Sequence, residues 1–188
     1  MEKRIHTRTI TVTTHETGPD TLLIEGTLRD DRHAPFFSYT AGEFVDPGAV
    51  HHIVVKFTVS LPGLEITSAE AELETAPTER CRETHSVVEN LVGLKIMPGF
   101  TQKTVEVLGG IKGCIHLTNL IQSMASAAVQ GQWAYYSMKR DDRTLEMPKF
   151  DPSLIVNSCW LWREDGPHYR EIKEIEARLK NEKLPPQE

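Results

Sequence analysis

The 188-residue chain contains no apolar run near the ~20 residues that a membrane-spanning helix requires. Its opening residues, Met1-Glu2-Lys3-Arg4-Ile5-His6, carry no apolar stretch of the kind a signal peptide uses. Positive charge is in deficit, with 21 Lys and Arg against 27 Asp and Glu and a formal net charge of -6. A general nucleic-acid binder needs a basic stripe to displace counterions, so the balance argues against that class. Cysteine is scarce, with three residues in all. Without an export signal, the expectation is a reducing, cytoplasmic setting in which thiols stay free or bind metal. Neither an internal repeat nor a low-complexity tract is visible. Gly109-Gly110-Ile111-Lys112-Gly113 lacks the spacing and the Lys-Ser/Thr ending of a phosphate-binding loop. A nucleophile elbow and a dinucleotide fingerprint are also missing. What is present is 39% apolar and 26% charged residues, the balance of a globular chain. Residues 1–188 read as a single domain with a disordered tail at 183–188, after Pro185-Pro186.

The first half has the pattern of strands. Arg4 to Thr14 is rich in β-branched residues, and Thr21 to Arg29 follows the turn signal Gly18-Pro19-Asp20. His51 to Ser60 and Leu64 to Thr75 flank the turn Leu61-Pro62-Gly63. Residues 30–49 read as a long loop. Its Phe36, Phe37, Tyr39 and Phe44 suggest a cover that packs down, because a loop of this length is often functional. The second half is helical in pattern. Thr78 to Val92 and Thr101 to Leu108 are short amphipathic pieces. Leu117, Leu120, Ile121, Met124, Ala125, Ala128 and Val129 make one apolar stripe at helical spacing. Arg140 to Pro152 reads as a charged loop, Ser153 to Trp162 is ambiguous, and 167–182 is helical. Strands followed by helices predict an α+β fold: an antiparallel sheet of two hairpins packed against the later helices.

Few residues could carry chemistry. Cys114 follows a glycine-rich turn and opens the long helix. Unpaired backbone N–H groups and the positive end of the helix dipole favour a thiolate there. His116 lies two residues on, so the pair could act as thiolate and general acid/base. Cys114 could equally be a small apolar residue filling a helix–turn junction. His51 and His52 start the third strand on opposite faces, so at most one looks into the core. Cys81 opens the first helix and shares a face with His85. Cys159 lies beside Trp160 and Trp162. Phe36, Phe37 and Tyr39 are candidates to bind an aromatic substrate, although such residues are more often core and loop anchors.

Several segments together resemble the bacterial domain of unknown function 2889 family. They are His6-Thr7-Arg8, Ile24-Glu25-Gly26, Leu28-Arg29-Asp30, Gly48-Ala49-Val50-His51, Ala76-Pro77 with Cys81, Leu91-Val92-Gly93-Leu94, Pro98-Gly99-Phe100 and Ser158-Cys159 with Asp165-Gly166. The most specific is Gly109 to Thr118, similar to the family's Gly-Cys-x-His-Leu signature. The resemblance implies that all three cysteines fall on positions where the family also has Cys, and that Asn119 stands where it usually has an acidic residue. The family itself implies no chemistry. In the order of hairpins, Cys and a later Cys-His pair, the chain is also similar to iron–sulfur scaffold proteins, an analogy of fold logic only.

Three functional expectations follow. The first is a small-molecule enzyme or binder with a site between sheet and helices. Cys114, His116 and His51 would be catalytic, and the chemistry that of a lyase or decarboxylase on an aromatic or acyl substrate. The second is a non-catalytic carrier of zinc or an iron–sulfur cluster, held by Cys81, Cys114, His116 and Cys159. The third is an interaction module in which these residues only pack. The expected partner is a small molecule rather than nucleic acid or membrane, with self-association open.

Overall fold

The computed structural model describes residues 2–139 and 156–182. The loop expected over 140–152, the start of the ambiguous segment 153–162 and the tail at 183–188 therefore lie outside the described residues. The strands are β1 (His6–Gly18), β2 (Thr21–Arg32), β3 (Phe36–Ser38), β4 (Glu43–Val45), β5 (Gly48–Ser60) and β6 (Glu65–Thr75). The four long strands form an antiparallel sheet in the order β1-β2-β5-β6, and β3 pairs with β4 in a small hairpin. The helical half follows, so the fold is α+β, with the sheet packed against the later helices.

Period-two alternation explains which face is buried. Leu22, Ile24 and Leu28 of β2, Ile53, Val55, Phe57 and Val59 of β5, and Ile66 and Leu73 of β6 are all buried on one face. The other face is polar, with Glu25 paired to Lys56 across β2 and β5 at 3.1 Å.

Thr78 caps the first helical segment by accepting a hydrogen bond from the Arg80 N–H, at 3.3 Å. The segment Glu79–Leu91 is a run of 3-10 turns that buries Val88 and Leu91. Helix α1 (Phe100–Leu108) and a single 3-10 turn (Gly110–Lys112) lead into helix α2 (Ile115–Met138). Helix α3 (Pro167–Glu182) closes the described chain. Of the expected apolar stripe on α2, Leu117, Leu120, Ile121, Met124, Ala125 and Ala128 are buried, and Val129 is partly so. Each fully buried large side chain contributes roughly 1.5–3 kcal/mol, so this stripe fixes α2 to the sheet. The approach is close at Gly26, where a Cβ would sit 2.6 Å from Met124 Cγ. No helix among the described residues is long and apolar enough to cross a membrane.

One segment departs from the sequence reading. Instead of ending at Arg29, β2 runs on through Asp30 and Asp31 to Arg32, held by pairing to both neighbours. Residues 30–49 are thus two strand ends and a hairpin rather than a long loop. The hairpin aromatics pack on one another, with Phe37 5.4 Å from Tyr39 and 5.5 Å from Phe44 between ring centroids. Their outer surfaces face solvent, Tyr39 being 93% exposed, so in this structure they are not packed down on the sheet.

Candidate active site at one end of the sheet

The buried face of the sheet changes character at one end. Along β2 the inward residues run Leu22, Ile24, Gly26, Leu28 and then Asp30, which is 3% exposed. Arg8 on β1 and His51 on β5 stand directly opposite Asp30. One pleat further on, His6 stands opposite Arg32. A bulge between Asp30 and Asp31 shifts the β2–β5 register beyond this row, a common device for re-aiming side chains near a site. Polar groups therefore continue the row that apolar groups began.

Asp30 is the hub. Arg8 donates two parallel hydrogen bonds to it, Nε to Oδ1 and Nη2 to Oδ2, each 2.7 Å long. His6 Nε2 lies 3.1 Å from Oδ1, and His51 Nδ1 lies 3.1 Å from Oδ2 at an angle too poor for a hydrogen bond. Burial pushes the Asp30 carboxyl up. The hydrogen bonds and charge of Arg8, the bond from His6 and the nearby His51 outweigh it and bring the group down to about 2. Asp30 is thus a fixed anion at neutral pH.

Helix α2 supplies the other half. Cys114 is its N-cap, and His116 projects from the first turn over the sheet end. The ring of His116 stacks on that of His51, with centroids 3.9 Å apart and planes tilted by 31°. His116 Nε2 is 3.6 Å from Asp30 Oδ2, while its Nδ1 is 3.5 Å from Cys114 Sγ. One imidazole therefore presents a nitrogen to a thiol on one side and to a carboxylate on the other. Half-burial raises the Cys114 thiol, but the His116 hydrogen bond and the backbone N–H groups of Leu117 and His116 lower it further, so it ends below its ordinary value. His51 is pushed down by burial and by the charges of Arg8 and Arg32, against the pull of Asp30. A nucleophile beside a base that a third group can orient is the common arrangement for activating a side chain.

Among the residues singled out from sequence, His51, Cys114 and His116 meet here, and of the two adjacent histidines it is His51 that faces inward. His52 faces the opposite side and reaches Glu74 at 2.6 Å. Cys81 packs half-buried against the core, and Cys159 is exposed. Phe36 lies under the Arg32 guanidinium, 5.6 Å from ring centre to Cζ. Phe37 and Tyr39 contact each other. Sequence reasoning missed Asp30, Arg8 and His6 as site residues. The available signal was the alternation of β2 and β5, which ends on Asp30 and His51 after unbroken apolar or glycine positions.

The ligating atoms of Asp30, His51 and His116 lie within 4.8 Å of one another, the spacing at which a metal ion could be shared. Neither Cys81 nor Cys159 is part of that group. Both Asp30 oxygens, however, already accept N–H groups from Arg8, and a fixed guanidinium charge beside the oxygens opposes a cation. The arrangement is better suited to moving a proton between sulfur and an imidazole that a fixed carboxylate faces from the other side.

Comparison with curated proteins and with solved structures finds no match. A family model matches residues 6–130, a span that holds His6, Arg8, Asp30, Arg32, His51, Cys81, Cys114 and His116 and ends before Cys159. On this match over most of its length, the chain belongs to the family described as "Protein of unknown function (DUF2889)".

Proposed function

We propose that the chain is a small-molecule enzyme that uses Cys114 as a thiolate nucleophile on an acyl substrate, with His116 as its acid/base partner. The observation that carries this reading is the line from Cys114 Sγ through both nitrogens of His116 to Asp30, at 3.5 Å and 3.6 Å. His116 takes the thiol proton. The sulfur adds to the acyl carbon, and the carbonyl electron pair moves to oxygen. As the carbonyl re-forms, the leaving atom departs with its electron pair and takes the proton from His116. Water, losing a proton to His116, then cleaves the thioester and restores the thiol. Where the leaving atom is carbon, as in a lyase, the same proton from His116 quenches it. Asp30, held by Arg8, orients the imidazole and stabilises its charged form. Among the aromatics proposed to contact substrate, Phe36 lies beneath the Arg32 guanidinium.

The alternative of a zinc or iron–sulfur carrier on Cys81, Cys114, His116 and Cys159 draws less support, because Cys159 is exposed and lies outside the family match. The test is intact-mass analysis after mixing the protein with a panel of activated aryl and alkyl acyl esters. An adduct of acyl mass on Cys114, absent in Cys114→Ser and long-lived in His116→Ala, supports the reading. Failure of every ester to label Cys114, or metal at one equivalent in freshly purified protein lost on Cys81→Ser, overturns it.

A further inference from the structure

The end of the sheet is basic in a chain whose net charge is -6. On the inward face, Arg8, Arg32, His6 and His51 surround Asp30 as the one carboxylate of the row. Arg8 is spent on Asp30 through two hydrogen bonds. Arg32 is different. It shares the face of Asp30 by register, its position is exposed, and among the described residues it pairs with no carboxylate. Its guanidinium instead lies over the Phe36 ring, 5.6 Å from the centroid. A ring beneath a guanidinium steadies the plane while leaving its N–H edge open. The nearest acidic neighbour along the strand, Asp31, points to the opposite face and is taken by Arg29 at 3.0 Å. By register Arg32 stands one inward position beyond Asp30 and opposite His6, at the end of the same row.

We propose that Arg32, steadied by Phe36, is the anchor for a carboxylate on the substrate, so that the Cys114 site acts on anionic acyl compounds. This rests on the thiolate reading above and names its substrate class. A planar guanidinium edge matches a carboxylate through two parallel hydrogen bonds. The charge of Arg32, unpaired with any carboxylate among the described residues, would also favour the approach of an anion over that of a cation.

Two alkylating reagents separate this proposal from the reading beneath it. Iodoacetate and iodoacetamide share one reaction, in which sulfur displaces iodide from the CH₂ carbon to leave a thioether. They differ in bearing a carboxylate or a neutral amide. Rates at Cys114 are measured by peptide mass spectrometry at low ionic strength and divided by the same rates for a free thiol peptide. The expected ratio of iodoacetate to iodoacetamide is about fivefold above that of the peptide, the order of effect of one nearby unit charge under partial screening. Arg32→Gln should return it to the peptide's value, and Arg32→Lys should hold an intermediate one. Arg29→Gln removes the same charge from the opposite face and should leave the ratio raised. Fast labelling by iodoacetamide with a ratio at or below the peptide's overturns the carboxylate anchor alone. Equal loss of the ratio in Arg29→Gln and Arg32→Gln overturns it as well, since only net charge would then matter. Inertness of Cys114 to both reagents overturns the thiolate reading and this proposal together.

Discussion

His51 and His116 stack with ring centroids 3.9 Å apart and a tilt of 31°, and through this contact the end of the sheet meets the first turn of α2. Burial and the guanidinium charges of Arg8 and Arg32 hold His51 below its ordinary 6.5, so its ring is neutral at pH 7. His116 is then the ring placed to exchange a proton with Cys114.

Alkylation of Cys114 should follow a pH profile with a midpoint below that of a free thiol peptide measured alongside. The His116 hydrogen bond and two backbone N–H groups lower the thiol despite its half-burial. His116→Ala removes the side-chain part of that effect, so the midpoint should rise. Iodoacetamide labelling from pH 5 to 10, read by mass spectrometry, checks both statements. A wild-type midpoint at the free-thiol value, or an unmoved one in His116→Ala, would show that sulfur and imidazole do not interact.

Acid should weaken the fold through Asp30. Its carboxyl falls from 3.8 to about 2 on folding, so the folded state binds that proton less readily than the unfolded chain. The stabilisation is present above about pH 4 and is lost as the pH falls through about 2. At ~1.4 kcal/mol per pH unit this amounts to about 2 kcal/mol, and the carboxylate is 5% exposed, so solvent screens little of it. Urea unfolding between pH 5 and pH 2 should show wild type losing about that much more stability than Asp30→Asn. His51 adds in the same direction higher up, because a group lowered from 6.5 on folding costs stability as the pH drops below that value. Parallel curves for wild type and Asp30→Asn would refute the assignment.

The parts of the fold that sequence made legible are those where one period decides. Alternation on β5 and the stripe from Leu117 to Ala128 named the two faces that meet in the core. The candidate site was legible only on its helix side, since Cys114 and His116 sit where a glycine-rich turn meets a long helix. Asp30 was hidden because aspartate is depleted in strands, and Asp30-Asp31 next to Arg29 has the composition of a loop. Pairing on both sides keeps it in β2, and Arg8 supplies the charge that makes its burial tolerable. Such compensation is tertiary, and no local pattern announces it. The same holds for the segment from Glu79 to Leu91. Its apolar spacing indicated a helix, and the chain there runs as 3-10 turns that bury Val88 and Leu91.

Gly131 provides a test of how α2 is seated. In the interior of an exposed helix, Gly→Ala stabilises by about 1 kcal/mol through propensity. Here a Cβ would lie 2.5 Å from Thr14 Cγ2, 2.6 Å from its Oγ1 and 2.8 Å from its Cβ. A β-branched side chain has little χ1 freedom with which to retreat. Either β1 or α2 must then shift, and overpacking of this kind costs typically 1–3 kcal/mol. The clash outweighs the propensity gain, so Gly131→Ala should lower the unfolding free energy by up to about 2 kcal/mol. Thr14→Ala removes Cγ2 and Oγ1 but leaves the Cβ at 2.8 Å, so the double variant Thr14→Ala/Gly131→Ala should recover part of the loss. Denaturant titrations of the two single variants and the double variant give the coupling directly. A Gly131→Ala protein as stable as wild type or more so, or a double variant whose loss is the plain sum of the singles, would mean that α2 does not rest on Thr14. The helix would then be free to sit further from the sheet, and the distances that join Cys114 and His116 to Asp30 would lose the support assigned to them.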